Sequence, residues 1–276
     1  MSACTIQSVV SLGLLYFLVP ITLVAQLAIQ DSAKAARNPV ANVIKLPFAE
    51  SLNFDLGSFT RTSNSLQILP VIPLQITKNW LLVNYIVSNG LVYQPDVNRQ
   101  VGGNTGLGDT NPTLFVTPAR AQKVIWGVGP SLLVPTATNV ALGQGKWALG
   151  PSVVALVQPD WGSGGVLIQN EWSIAGDRRR PQVNQMLLEY LLSYNLPKDW
   201  YLTTQPTISA DWTQNSRNRW FVPFGGGVSR TFSFGKQAID ANMAIYRSIV
   251  GPENHVYPKW QINLQLTLLF PKGKPE

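Results

Sequence analysis

Trp260 to Phe270 reads Trp-Gln-Ile-Asn-Leu-Gln-Leu-Thr-Leu-Leu-Phe, and apolar side chains occupy every second position of this stretch. Successive side chains of a β-strand point to opposite faces, so the pattern predicts a strand with one apolar face and one amide-rich face. Such a strand fits the boundary between lipid and water in a membrane barrel. Taken alone, it would also fit the edge of a β-sandwich with one face in a core.

Four further segments, at 81–88, 166–173, 186–194 and 202–212, repeat this alternation less cleanly. With turn residues every 10 to 15 positions, the chain is read as twelve strands, an even count as single-chain bacterial barrels have. The twelve predicted strands lie at 52–60, 65–76, 79–92, 106–117, 123–135, 147–158, 163–174, 184–195, 200–212, 219–231, 238–248 and 259–270.

The predicted links between these strands alternate in length. Short links are expected at 77–78, 118–122, 159–162, 196–199 and 232–237. Longer links, rich in Gly, Asn and Arg, are expected at 93–105, 136–146, 176–183 and 249–258. A sandwich has no reason to sort its loops in this way, whereas membrane barrels have short periplasmic turns and longer external loops. The sequence therefore predicts an all-β fold, a transmembrane antiparallel up-and-down β-barrel of about 12 strands with both termini periplasmic.

The composition excludes several other classes of protein. The 276 residues are 45% hydrophobic but only 13% charged, whereas a soluble domain usually has about 25% charged residues. No apolar run long enough for a spanning helix follows the first thirty residues, which excludes a helical multi-span protein. The net charge of +7 comes from scattered Lys and Arg, a distribution that does not predict nucleic-acid binding. The single cysteine, Cys4, lies in the expected leader, so no disulfide or cysteine metal site is predicted beyond it.

The N-terminal part of the chain predicts a targeting segment. Residues 1–25 are apolar and end near small residues, as a signal peptide does, and cleavage is expected after Ala25. An uncleaved membrane anchor is the alternative. Residues 26–50 are predicted to form an N-terminal periplasmic or plug segment, 51–272 the β-barrel and 273–276 a C-terminal tail.

The polar faces of the predicted strands supply the side chains expected to line the lumen. They are Asn84, Gln169, Glu171, Glu189, Gln205, Asp211, Gln261, Asn263 and Gln265. Five apolar side chains fall on the same predicted face, namely Leu69, Leu82, Ile86, Leu167 and Leu187. This mixture favours a slender apolar or aromatic solute, because a porin for ions would show more charge. The nine tryptophans fall mostly near predicted strand ends, as in the aromatic girdles of membrane barrels.

Asp109 and the run Arg178-Arg179-Arg180 are the loop residues with the most distinctive chemistry. Asp109 is expected to be a structural carboxylate that accepts hydrogen bonds from loop amides, with contact to a passing solute as the alternative. The arginines are expected to form a solvated basic loop, or else to bind lipopolysaccharide phosphates or another anion through charge-assisted hydrogen bonds. His255, the only histidine, stands in a predicted external loop. No catalytic residue and no metal site is predicted.

A series of short motifs occurs in order between residues 38 and 272. They are Asn38–Phe48 (NPVANVIKLPF), Gln67–Pro73 (QILPVIP), Gly106–Thr110 (GLGDT), Trp126–Pro130 (WGVGP), Pro135–Thr138 (PTAT), Leu142–Gly143 (LG), Lys146–Pro151 (KWALGP), Trp172–Asp177 (WSIAGD) and Leu268–Lys272 (LLFPK). Together they resemble outer-membrane proteins related to the phenol-degradation MetA-pathway proteins, a family often labelled "neuromedin U". The resemblance implies an outer-membrane barrel with a role in the uptake of hydrophobic or aromatic compounds. Arg178, Arg179 and Arg180, which follow the WSIAGD motif directly, depart from the family pattern.

These observations predict a non-enzymatic outer-membrane channel or transporter for small hydrophobic or aromatic solutes. A structural or adhesive barrel with a plugged lumen is the alternative, and a barrel-embedded lipid-modifying enzyme is a third interpretation. The expected partners are outer-membrane lipid and lipopolysaccharide, the barrel-assembly machinery and the solute itself. No cofactor is expected.

Overall fold

The computed structural model describes residues 32–99, 102–120, 122–235, 237–253 and 257–271. The predicted signal peptide, His255 and the predicted C-terminal tail lie outside the described residues. Within the described ranges, no helix is long and apolar enough to cross a membrane.

A short helix at residues 32–36 is followed by fifteen β-segments. They are β1 (Val43–Leu56), β2 (Arg61–Ile68), β3 (Val71–Gln75), β4 (Trp80–Pro95), β5 (Gly103–Gly106), β6 (Thr110–Pro118), β7 (Ile125–Leu133), β8 (Lys146–Val157), β9 (Gly162–Gly176), β10 (Asn184–Asn195), β11 (Trp200–Thr204), β12 (Thr207–Asp211), β13 (Trp220–Phe234), β14 (Gln237–Val250) and β15 (Trp260–Pro271). Three pairs of segments, β2 with β3, β5 with β6 and β11 with β12, are each one interrupted strand, so the barrel has twelve strands. Pro70 and Pro206 stand at two of these breaks, because proline has no N–H to donate to a ladder.

The sheet is antiparallel and closes on itself. The first and last strands, β1 and β15, pair in one register from Val43↔Pro271 to Phe54↔Trp260. Closure pairs the backbone N–H and C=O groups that hydrocarbon would otherwise leave unsatisfied. The predicted antiparallel barrel of about twelve strands is confirmed.

The links between strands are sorted by length between the two ends of the barrel. We name the end that holds Val43 and Pro271 the short-turn end, and the opposite end the long-loop end. Links at the short-turn end lie at 76–79, 119–124, 158–161, 196–199 and 235–236. Links at the long-loop end lie at 57–60, 96–102, 134–145, 177–183, 212–219 and 251–259. Apart from the short link at 57–60, the predicted alternation of link lengths is confirmed.

The first strand begins at Val43, whereas the sequence pattern placed it at 52–60. Ile44, Leu46, Phe48 and Leu52 share the outward face of this strand, which Glu50 interrupts, and Lys45 lies on the inward face. Both charges have partners in the structure. Lys45 Nζ donates to a backbone carbonyl oxygen of the N-terminal segment at 2.6 Å, and Glu50 accepts a hydrogen bond from a neighbouring asparagine at 3.1 Å. The barrel therefore includes residues 43–50.

Tryptophans form a belt around each end of the outer wall. Near the short-turn end lie Trp80, Trp126, Trp161 and Trp200, and near the long-loop end lie Trp147, Trp172, Trp212, Trp220 and Trp260. Trp80 packs edge-on against Trp126 with ring centroids 5.9 Å apart. The Arg247 guanidinium stacks over Trp260 at 5.5 Å from the ring centroid. Two such belts mark the two headgroup layers between which an apolar wall fits.

The carboxylate of Glu50 lies on the lipid-facing wall. Its register partner Leu264 is exposed on this wall, between Trp260 and Phe270 at the two ends of β15. The next residue along β1, Ser51, points to the interior instead. Glu50 thus sits near the middle of the apolar band, where hydrocarbon solvates a charge poorly.

Candidate functional site

Two cavities inside the barrel share part of their lining, and the larger of the two, named the upper chamber, faces the long-loop end. Its volume is about 500 Å³, a size suited to a small organic molecule. Its apolar wall includes Leu69, Val87, Leu133, Leu142, Leu167 and Leu187. Its uncharged polar wall includes Gln67, Asn89, Asn111, Gln169, Gln185 and Thr207. The chamber therefore combines apolar area with many hydrogen-bonding groups.

The loop at 134–145 folds inward and caps the upper chamber. Buried Asp109 holds this loop, because its carboxylate accepts hydrogen bonds from the amide nitrogens of Ala137 at 3.1 Å and Gln144 at 2.6 Å. Gly143 passes so close to this carboxylate that a Cβ would collide with it. Arg180, from the next long loop, donates to the carbonyl oxygens of Gly143 and Gln144. The loop that reaches into the mouth of the chamber is thus tied from two sides.

A buried polar network stiffens one wall of the upper chamber. Glu171 is fully buried and accepts hydrogen bonds from Asn111 Nδ2 at 2.5 Å and Ser131 Oγ at 2.7 Å. Gln185 Nε2 lies 3.4 Å from its other oxygen, and Gln169 Nε2 lies 3.3 Å from Asn111 Oδ1. Because the carboxylate is satisfied by protein donors, Glu171 acts as a fixed part of the wall.

The smaller cavity, named the lower chamber, has a volume of about 160 Å³ and faces the short-turn end. Five residues line both chambers and form what we call the waist: Gln67, Leu69, Tyr85, Glu189 and Thr207. The first three lie on one side of the barrel, in or beside β2 and β4, and the other two lie on β10 and β12. These strand pairs are six positions apart in a ring of twelve, so they face each other across the lumen.

The N-terminal segment docks at the short-turn end. Arg37 donates to Ser193 Oγ at 2.9 Å and to Asn195 Oδ1 at 2.7 Å, and its guanidinium stacks over Tyr201 at 4.6 Å. Tyr201 in turn donates to Asp240 Oδ2 at 2.6 Å. Burial lowers the pKa of Arg37, although Tyr201 and Asp240 oppose this shift. The segment is therefore anchored by several bonds through one arginine.

An apolar cluster fills the interior beside this segment. Val40 of the N-terminal segment packs there with the buried side chains of Val71, Leu81, Val83, Phe115, Val154 and Leu167. At this end the apolar cluster and the lower chamber therefore occupy different parts of the lumen.

The structure places the sequence-predicted lumen residues at different depths. Gln169 and Glu189 line the upper chamber, and Gln205, Asn263 and Gln265 line the lower chamber. Glu171 lies behind the wall, in the network described above. Gln261 is on the inner face and donates to Asn53 Oδ1 at 2.8 Å. Asp211 ends β12 at the long-loop end, where it accepts hydrogen bonds from Thr213.

Asn84 lies on the outer wall, contrary to the prediction. Its register partners Ile72 and Leu114 are exposed there, while its neighbours Val83 and Tyr85 point inward. The same strand carries Leu82 and Ile86 outward, so their predicted luminal positions are also wrong. The cause is the apolar cluster, which requires the inward face of β4 to be apolar along its first half.

The three arginines of the loop at 177–183 have separate environments. Arg179 pairs with Asp177, with Nη2 3.0 Å from Oδ2, and its hydrogen bonds lower the pKa of that exposed carboxyl. Arg180 reaches the capping loop, as described above, and Arg178 follows Asp177 directly in the loop. Binding of lipopolysaccharide phosphates or another anion by this loop stays a prediction.

Several site residues were not identified from the sequence. Tyr85, Asn89 and Asn111 line the upper chamber, and Arg37 lines the lower chamber. The alternation on β4 groups Tyr85 with Leu81, Val83 and Val87, and this apolar face was predicted to point to lipid. Within the described residues, no group of His, Cys, Asp and Glu could hold a metal ion.

Comparison with known proteins identifies the fold. No protein-family model matches the sequence, and no curated protein matches it. The crystal structure of the COG4313 outer membrane channel from Pseudomonas putida F1 matches with a TM-score of 0.62 and 14% identity, over 84% of this chain and 97% of that chain.

Two other matches are more distant. Outer membrane phospholipase A from Escherichia coli matches at a TM-score of 0.44 and 11% identity, over 84% of this chain and 90% of that chain. The CymD monoaromatic hydrocarbon channel matches at the same TM-score and identity, over 86% of this chain and 92% of that chain. Both similarities are too low to bear on function. The resemblance to the MetA-pathway family stays a prediction, and what the comparisons establish is the barrel fold.

Proposed function

We propose that this chain is a bacterial outer-membrane channel for small hydrophobic or aromatic solutes, with both termini on the periplasmic side. The observation that carries the proposal is the upper chamber, a cavity of about 500 Å³ inside a closed barrel. Its leucines offer apolar contact area, and its amides offer hydrogen bonds to a substituent. The matching structure from Pseudomonas putida F1 is itself described as an outer membrane channel.

The chemistry of the chamber favours solutes that are largely apolar. Binding sites for small molecules are mostly apolar with a few polar groups that fix orientation. The two belts of tryptophan support a location in a membrane. The longer links at one end favour that end as the external one, because outer-membrane barrels place short turns in the periplasm.

Filling the upper chamber is the sharpest test of this function. Leu187→Trp adds a large ring to the chamber wall on β10, whereas Leu192→Trp adds the same ring to the exposed outer side of the same strand. Both variants are expressed in porin-deficient Gram-negative cells, and the initial uptake rate of radiolabelled benzyl alcohol is measured. Wild type and Leu192→Trp are expected to accelerate uptake over cells without the protein, and Leu187→Trp is expected to abolish that acceleration.

The principal alternative is a structural or adhesive barrel whose lumen stays plugged. The docking of the N-terminal segment by Arg37 is the observation that favours it. If wild type gives no more uptake than cells lacking the protein, and purified protein gives no current in planar bilayers, the channel function is wrong and this alternative stands. A lipid-modifying enzyme would instead show phospholipid hydrolysis that His255→Ala removes.

A further inference from the structure

Any solute that moves between the two chambers must pass the waist, where Glu189 faces Tyr85 across the lumen. We propose that Glu189 makes the channel selective for the charge of its solute. The channel accepts aromatic or aliphatic amines in their ammonium form and rejects the corresponding carboxylates. This inference rests on the proposed function, because it requires that a solute crosses the waist.

The described wall of the upper chamber carries negative charge and no Lys, Arg or His. Its ionisable acids are Asp109 and Glu189. Asp109 directs its carboxylate into the capping loop, where backbone amides occupy both of its oxygens. A third carboxylate, Glu171, lies directly behind the wall. An anion in this chamber would therefore meet repulsion without a compensating cation, and a cation would be attracted.

Glu189 keeps acceptor capacity that points into the route. Gln205 Nε2 donates to one of its oxygens at 3.1 Å, and Thr207 Oγ1 lies 3.5 Å from the other. A carboxylate offers about four acceptor positions, so this leaves room for N–H donors of a ligand. Among the described residues, none of the salt bridges involves Glu189. Its charge is consequently available to a passing group.

The positive groups below the waist are already engaged. Arg37 donates to Ser193 and Asn195, and Lys45 donates to the Asn38 carbonyl oxygen at 2.6 Å. Asp240 lines the same lower chamber as Arg37 and balances its charge. These cations therefore do not form a path that would carry an anion past Glu189.

The waist also holds apolar surface for the body of such a solute. Leu69 and Tyr85 stand opposite Glu189, and Leu187 and Val87 continue the apolar wall into the upper chamber. An amine with a short apolar body could place its ammonium group on Glu189 and its body on these side chains. An aromatic ring near an ammonium group adds cation–π attraction. The expected solute is thus amphipathic, with a cationic head.

The test compares two aromatic ions of similar size in the same channel. Purified protein is reconstituted in planar bilayers, and bi-ionic reversal potentials give the permeability of benzylammonium and of benzoate relative to K⁺ and Cl⁻. Wild type is expected to favour benzylammonium over benzoate by at least roughly tenfold. The interaction energy between an ion and a carboxylate in contact inside a protein is larger than the free energy that corresponds to a tenfold ratio. Glu189→Gln, which keeps the shape of the side chain, is expected to lower this preference about tenfold.

Glu50→Gln is the matched control, because it removes the same charge from the outer wall of the same barrel. It is expected to leave the preference unchanged, and Glu189→Asp is expected to retain most of it. Equal permeation of both aromatic ions, or equal effects of Glu189→Gln and Glu50→Gln, would overturn the role of Glu189 while the channel function stands. Absence of any current or uptake in wild type would instead contradict the channel function itself.

Discussion

Replacing Asp109 with alanine is expected to release the loop at 134–145 from the mouth of the upper chamber. Asp109 is buried and accepts hydrogen bonds from the amides of Ala137 and Gln144 at 3.1 and 2.6 Å. Hydrogen bonds to a charged group contribute about 1.5 kcal/mol or more each. Loss of two such bonds therefore destabilises the docked conformation of the loop by about 3 kcal/mol relative to the open one. Because about 1.4 kcal/mol corresponds to a factor of ten, loop opening becomes roughly a hundredfold more frequent. Arg180 still tethers the loop, which limits how far it moves.

Hydrogen exchange followed by mass spectrometry measures this opening directly. Peptides that contain the amides of Ala137 and Gln144 are expected to lose about two orders of magnitude of protection in Asp109→Ala, and the current through the reconstituted protein is expected to rise. Asp211→Ala is the control, because Asp211 holds a different long loop through bonds to Thr213 at 2.9 and 2.6 Å. Its effect is expected only in the loop at 212–219. Unchanged exchange at 134–145 in Asp109→Ala would refute the assignment of this carboxylate as the anchor of the cap.

Three further substitutions test other features of the fold. Arg37→Ala removes the bonds that dock the N-terminal segment, so we expect larger single-channel currents than in wild type; identical currents would show that the segment does not restrict the lower chamber. Glu50→Leu removes a charge from the lipid-facing wall. It is expected to raise the free energy of unfolding in lipid vesicles by about 1 to 2 kcal/mol. A decrease in this free energy would argue against the outward position of Glu50. Gly150→Ala would drive a Cβ into the backbone of the neighbouring strand, whereas at Gly164 the added Cβ meets only an ordinary contact at 3.5 Å. Folding yield in detergent is therefore expected to collapse for Gly150→Ala and to stay near wild type for Gly164→Ala.

The interior of the barrel was only partly predictable from polarity. On β15 the rule worked, because Asn263 and Gln265 point into the wet lower chamber and Leu264 and Leu266 are exposed on the outer wall. On β4 it failed, because the inward face packs on Val40 of the N-terminal segment. The polarity of a strand face indicates only whether its surroundings are polar or apolar. Where apolar side chains fill the lumen, the inward face is in an environment as apolar as lipid.

The candidate site depends on residues that are distant in sequence. The waist joins residues of β2 and β4 to Glu189 on β10, and sequence spacing gives no information on which strands face each other across a ring. The loop at 134–145 is also held by residues that are distant in sequence, since the amides that bind Asp109 lie 28 and 35 residues away from it. A carboxylate after a glycine-rich turn indicates that some loop is held, but not which one.

The sequence by itself determined the class of fold, the number of strands and the sorting of links between the two ends. These follow from local rules, because side-chain alternation has a period of two residues and link length is read directly along the chain. Only the tertiary structure decided that β1 begins at Val43, that Asn84 and Glu50 face outward, and that Glu189 stands at the waist between the two chambers. Each of these depends on how the ring closes and on what fills its interior, and both are set by contacts between residues far apart in the chain.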